Sequence, residues 1–201
     1  MVPAVGLLLG LLGLLVVAAC VNRDAPADVD ALTICASCHG PTGVSERYYV
    51  PNIAGQHYAY LVKQLRHFRT THEAGDMREN ATMNWHAVRM NGADIDRIAR
   101  YYAGQTCQPG IHTWTGGELN NACTACHGSR GLSRDPAIPN LAGQQVYYML
   151  RQIMAFRHDE NAAANRNSHC SRSNERMGKA AADVCGDALL SAYYFNAQGC
   201  P

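Results

Sequence analysis

Apolar positions fall into two patterns along this chain. Residues 3–19 are apolar without interruption, and after Cys20 the sequence turns at once to the polar run VNRDAPADVD. Beyond that break, apolar residues return at helical spacing. Leu61, Leu65 and Phe68 share one helical face, and Ile95, Ile98, Ala99 and Tyr102 share another. No segment sustains the two-residue alternation of a half-buried strand, so an all-α protein is predicted. Asp28 or Asp30 can cap the helix that runs into Cys35, and Asp94 stands at the start of the later one.

The helical pattern is written twice. Cys35, Cys38, His39 and Gly40 recur 88 positions later as Cys123, Cys126, His127 and Gly128, and Gly43 and Ser45 recur as Gly131 and Ser133. PNIAGQ at 51–56 returns as PNLAGQ at 139–144, and YLVKQLRHFR (60–69) lies over YMLRQIMAFR (148–157) without a gap. The register breaks where the second unit gains residues around AAANRNSHC, then resumes as NATM (80–83) and NERM (174–177). Both units close with a Tyr-Tyr pair in a helical pattern. Two homologous domains are therefore expected, 20–106 and 107–201, with their junction near the Gly-, Pro- and Thr-rich stretch 104–117.

Charge narrows the function. The 201 residues carry 17 Lys and Arg against 16 Asp and Glu, which gives no basic footprint for nucleic acid. The apolar run at 3–19 approaches the lower limit of about 17 residues for a membrane-spanning helix. Its ending, Val-Ala-Ala-Cys at 17–20, resembles a bacterial lipoprotein signal with Cys20 as the lipidated residue, although MVPAVG lacks the usual positive start. An uncleaved anchor and an ordinary cleaved signal are the alternatives for 1–19. All three place the remainder outside the cytoplasm.

The chemistry lies in the doubled C-x-x-C-H. Two cysteines three apart at a helix start present both sulfurs to one side, spaced to add across the vinyl groups of a haem, and the next His can ligate the iron. A thioredoxin-type dithiol or a four-thiolate zinc site also uses C-x-x-C pairs. Zinc leaves both trailing histidines unexplained, and a dithiol centre is not expected twice in a duplicated helical chain. Two covalently attached haem c groups are expected, on Cys35, Cys38 and His39 and on Cys123, Cys126 and His127. Domains of this size bury little surface unaided and often depend on a cofactor.

Each iron needs a second axial ligand, and the repeat selects Met83 and Met177 through the shared N-x-x-M, with Ala87 and Ala181 four residues on. Met149 and Met154 read as core filling on the apolar helix. His86 is the rival near the first iron; His169 and Cys170 are rivals near the second. Pro51 and Pro139 are expected to hold a backbone carbonyl against the free ring N–H of each axial His.

These motifs, namely two C-x-x-C-H-G units each followed by P-N-(I/L)-A-G-Q, a Q-(L/I)…F-R helix, a lone Met and a terminal Tyr-Tyr helix, resemble the di-haem cytochromes c of the cytochrome c(4) family. The resemblance covers nearly all of the chain after residue 28. It implies two class I cytochrome c folds related by a pseudo-twofold, with His39/Met83 and His127/Met177 as axial pairs. It also implies a periplasmic electron carrier between a quinol-oxidising complex or dehydrogenase and a terminal oxidase or reductase, both redox partner proteins. The N-terminal segment would add a membrane tether, and the insertion before Met177 departs from the family pattern.

Four cysteines remain: Cys107, Cys170, Cys185 and Cys200. In an oxidising compartment they are most simply two disulfides. Three pairings are open, of which Cys107–Cys200 and Cys170–Cys185 are favoured. Two functions stand beside the free carrier. One is a fixed haem subunit of a membrane oxidase or reductase; the other is a di-haem oxidoreductase such as a thiosulfate dehydrogenase, which a Cys170 ligand would favour.

Overall fold

The computed structural model describes residues 30–69, 78, 80–119, 122–159, 175–183 and 187–200. The apolar run 3–19, Cys20, Cys170 and Cys185 lie outside them, as does His169. Among the described residues the regular elements are helices, and their order repeats. Helices α1 (Ala31–His39), α2 (Tyr58–Arg69), α3 (Ala81–Ala87) and α4 (Gly92–Ala103) are followed by α5 (Ala122–His127), α6 (Val146–Asp159), α7 (Glu175–Asp183) and α8 (Asp187–Asn196). No helix among the described residues is long and apolar enough to cross a membrane.

Polar side chains set the helix starts. The Asp30 carboxylate accepts from Leu32 N at 3.4 Å and pairs with Arg97 at 2.7 Å, which ties the entry of α1 to α4. The Arg97 hydrogen bond holds this carboxyl below the usual range. Helix α4 opens with a capping box: Asp94 N donates to Asn91 Oδ1 at 3.0 Å and Asn91 N to Asp94 Oδ2 at 3.1 Å. Asp94 is thus the third helical residue, and Asn91 is the cap.

The apolar stripes meet as the spacing predicts. Leu61 and Leu65 of α2 pack with Ile95, Ile98, Ala99 and Tyr102 of α4 and with Met90, all buried. Full burial of each large side chain contributes about 1.5–3 kcal/mol. In the second unit Met149 of α6 packs with Ala192, Tyr194 and Phe195 of α8. Met154, expected in the core, is 58% exposed. It lies five residues beyond Met149, and at about 100° per residue that turns it to the far side of α6.

The stretch 104–117 does not hang free between the units. Gly110 N donates to Asn196 O at 2.6 Å, His112 N to Asn196 Oδ1 at 3.2 Å, and the Trp114 ring meets Tyr194 edge-on at 5.3 Å. The closing helices also align one residue away from a Tyr-Tyr match. Tyr101 Oη donates to Pro41 O, as Tyr194 Oη does to Ser129 O, while the Tyr102 and Phe195 carbonyls accept from Gly55 N and Gly143 N. Tyr102 is therefore matched by Phe195, and Tyr193 stands outside the equivalence.

Helices α1 and α5 stop at the same place for the same reason. Gly40 and Gly128 take φ of 80° and 81°, and a Cβ on Gly40 would sit 2.2 Å from Val44 O. Gly40→Ala is expected to cost at least about 1–3 kcal/mol through backbone strain alone. Urea unfolding of the holo-protein checks this, and an unmoved midpoint would contradict it.

Candidate functional site

One continuous cavity of about 960 Å³ opens between the helices, with walls from both units. That volume stands at the top of the about 300–1,000 Å³ range of small-molecule sites. Cys35, Cys38, His39 and Met83 line it from the first unit, and Cys123, Cys126, His127 and Met177 from the second. The remaining wall is largely apolar, with Leu61, Leu65, Ile98 and Phe195 among its members. The core stripes and the cavity walls are thus partly the same side chains.

Both histidines are buried at the ends of their helices and fixed alike. His39 Nδ1 lies 2.9 Å from Pro51 O, and His127 Nδ1 lies 2.8 Å from Pro139 O. A backbone carbonyl can only accept, so Nδ1 carries the hydrogen and Nε2 is left as the basic nitrogen. Burial pushes the His39 pKa down, against the Pro51 bond, and the charges of Arg78 and His86 add to the fall. The neutral imidazole that a metal requires is therefore the favoured form. Burial likewise raises the Cys35 thiol to about 11.

Loops after each motif are braced by one serine. Ser45 Oγ donates to Cys38 O at 2.8 Å and accepts from Arg47 N at 3.1 Å; Ser133 Oγ does the same with Cys126 O and Asp135 N, both at 3.1 Å. On the first unit's side of the cavity, Asn80 caps α3 by accepting from Met83 N at 3.0 Å. Asn84 holds that helix to the end of α2 through Phe68 O at 2.7 Å. The N-x-x-M spacing thus places Met83 as the third residue of a capped helix. His86 also lines the cavity, with its ring edge-on to Trp85 at 4.8 Å.

The Asn and Gln of the P-N-(I/L)-A-G-Q block have a task that sequence reasoning missed. Gln56 Nε2 donates to Asn140 O and Asn140 N to Gln56 Oε1, both at 2.9 Å. The mirror pair follows: Gln144 Nε2 donates to Asn52 O and Asn52 N to Gln144 Oε1, both at 2.8 Å. Asn52 Nδ2 reaches Gly143 O at 2.7 Å, and Asn140 Nδ2 reaches Gly55 O at 3.0 Å. His57 and Gln145 complete the exchange through Ser133 O and Ser45 O. Each partner's residue meets the other's counterpart, which is the pattern of an isologous twofold interface. The repeat of Asn and Gln at matched positions was the signal available in the sequence.

Cys107 and Cys200 are joined as a disulfide with Cα atoms 5.4 Å apart. They follow the matched residues Tyr101 and Tyr194 at the same distance, so the bond links two equivalent positions across the pseudo-twofold.

This donor set fits covalently held haem. Two sulfurs and an oriented imidazole stand at the end of one helix, with a methionine on another helix of the same unit, in an apolar cavity, and the whole arrangement occurs twice.

Comparison with known proteins agrees. The Cytochrome c family matches residues 31–103. The chain is 30% identical over 160 residues to the cytochrome c4 of Azotobacter vinelandii, covering 71% of this chain and 75% of that protein. The crystal structure of reduced recombinant cytochrome c4 from Pseudomonas stutzeri superposes with a TM-score of 0.64 at 26% identity, over 85% of this chain and 95% of that one. A thiosulfate dehydrogenase electron acceptor of Thiomonas intermedia (strain K12) is 29% identical over 140 residues, 61% of this chain and 62% of that protein.

Proposed function

Since this chain belongs to the cytochrome c4 family, we propose that it is a periplasmic electron carrier, tethered to a membrane at Cys20, between a quinol-oxidising complex or dehydrogenase and a terminal oxidase or reductase. In coarser terms it is a di-haem electron-transfer cytochrome with covalently attached haem c. Cys35 and Cys38 would hold the first haem and Cys123 and Cys126 the second. His39 with Met83, and His127 with Met177, would supply the ligands to each iron. Residues 20–106 and 107–201 form the two haem domains.

Bound haem c supplies the chemistry, a reversible one-electron couple between ferrous and ferric iron. The protein's part is to hold the ligands and keep water out. The Pro51 and Pro139 carbonyls fix ring orientation, so neither imidazole turns when the charge at its Nε2 changes. A thioether and an imidazole as the iron's ligands would favour a relatively high potential. With a His and a Met side chain both given to each iron, no open position would remain for substrate, which suits transfer rather than catalysis.

The observation that carries this reading is the doubled His–carbonyl bond over a cavity that also holds Met83 and Met177. Ferric protein should show the weak red charge-transfer band of Met–Fe(III) ligation, and Met83→Ala and Met177→Ala should each remove one of its two contributions. A band unchanged in either variant removes that methionine from the iron. A thiolate signature in its place would point to Cys170 and to the enzyme.

The likeness to a thiosulfate dehydrogenase electron acceptor favours a dehydrogenase as donor over this chain being the dehydrogenase itself.

A further inference from the structure

Arg78 stands two residues before the cap of α3 and faces the shared cavity. Its guanidinium is held on three sides. Nη1 donates to Gln64 Oε1 of α2 at 2.6 Å, Cζ lies 4.5 Å from the Phe68 ring centroid, and Nη2 donates to the hydroxyl of Tyr148 on α6. The first two partners belong to the arginine's own unit and are buried. The third belongs to the other unit. The fork is rigid and planar, so fixing two of its nitrogens fixes where its charge sits.

The sequence repeats the parts. By the register of the duplication Gln64, Phe68 and Tyr148 correspond to Gln152, Phe156 and Tyr60, and an arginine, Arg172, again precedes the methionine by five positions. Arg172 lies outside the described residues.

We propose that Arg78 and Tyr148 form a positioning bridge through which the second unit holds the segment carrying Met83, so that the potential of the first haem depends on a side chain of the second unit. This rests on Met83 as the first iron's ligand. A cation fixed beside a redox centre favours the state of lower positive charge, the reduced one, and the effect weakens as the cation moves away or becomes hydrated. Tyr148 acts through Arg78: without its hydroxyl the fork loses the contact that orients it.

The test is spectroelectrochemistry of the holo-protein, resolving the two midpoints in Arg78→Gln, Tyr148→Phe and the double variant, with Arg78→Lys retained as a charge-conserving control in case the glutamine variant misfolds. Both single variants are expected to lower the same midpoint, and the double variant should lower it no further than Arg78→Gln alone. That non-additivity is the mark of a shared interaction. Additive shifts, no shift with Tyr148→Phe, or shifts in different midpoints would overturn the bridge. Met83→His, measured alongside, should lower the same midpoint sharply. If it lowers neither, the ligand assignment falls, while the Arg78 and Tyr148 comparison still decides whether the bridge exists.

Discussion

Replacing Cys107 and Cys200 together by serine is expected to lower the unfolding free energy of the holo-protein by about 4–5 kcal/mol. The bond closes a loop of 93 residues, and the entropy it removes from the unfolded chain grows with the logarithm of that length. At the scale of this chain such a loss moves the melting temperature down by on the order of 10 °C. Denaturant titration of the double serine variant checks it, with reduced native protein as a second route to the same state. Neither cysteine lines the cavity, so the spectrum should stay as it was. A midpoint within error of the native one would mean that the interface holds the linker and C-terminus together unaided.

Truncating Gln56 or Gln144 to alanine should cost about 2–4 kcal/mol, the sum of two interface groups left without partners at about 1–3 kcal/mol each, reduced by water entry. Gln56→Ala strands both Asn140 N and Asn140 O, and Gln144→Ala does the same to Asn52. These contacts share one interface. The double variant should therefore lose less than the sum of the singles, because the second truncation acts on units already loosened. Urea unfolding of the three variants measures this directly. Strict additivity would sink the idea that the units dock as one cooperative surface.

Most of the local fold was legible because periodicity and chemistry agreed. Leu61, Leu65, Ile95, Ile98 and Tyr102 are buried where their spacing put them, and C-x-x-C-H placed four cysteines and two histidines on one cavity. The Pro51 and Pro139 carbonyls could be anticipated, because a His expected to ligate a metal through one ring nitrogen needs an acceptor for the N–H of the other. Met154 could not be separated from Met149 by hydrophobicity, since only phase around the helix distinguishes them. The bridging amides of Asn52, Gln56, Asn140 and Gln144 were hidden for a different reason. A polar side chain whose partner lies more than 80 residues away leaves no mark in the local pattern, and only its recurrence hinted at a shared task. Arg78 leaves no local mark either, since its bridge to Tyr148 spans 70 residues.

The reciprocal amide network also bears on how this chain can change over generations. Contacts that pair each unit's residue with the other's counterpart are those that two copies of a single unit would make about a true twofold, and the Cys107–Cys200 bond would then be one cysteine meeting its own image. Fusion into one polypeptide frees the halves to diverge, as the long segment before Met177 and the replacement of Tyr102 by Phe195 illustrate. At the network that freedom ends. A substitution at Asn52 is felt at Gln144, so the two halves must drift together there or part altogether.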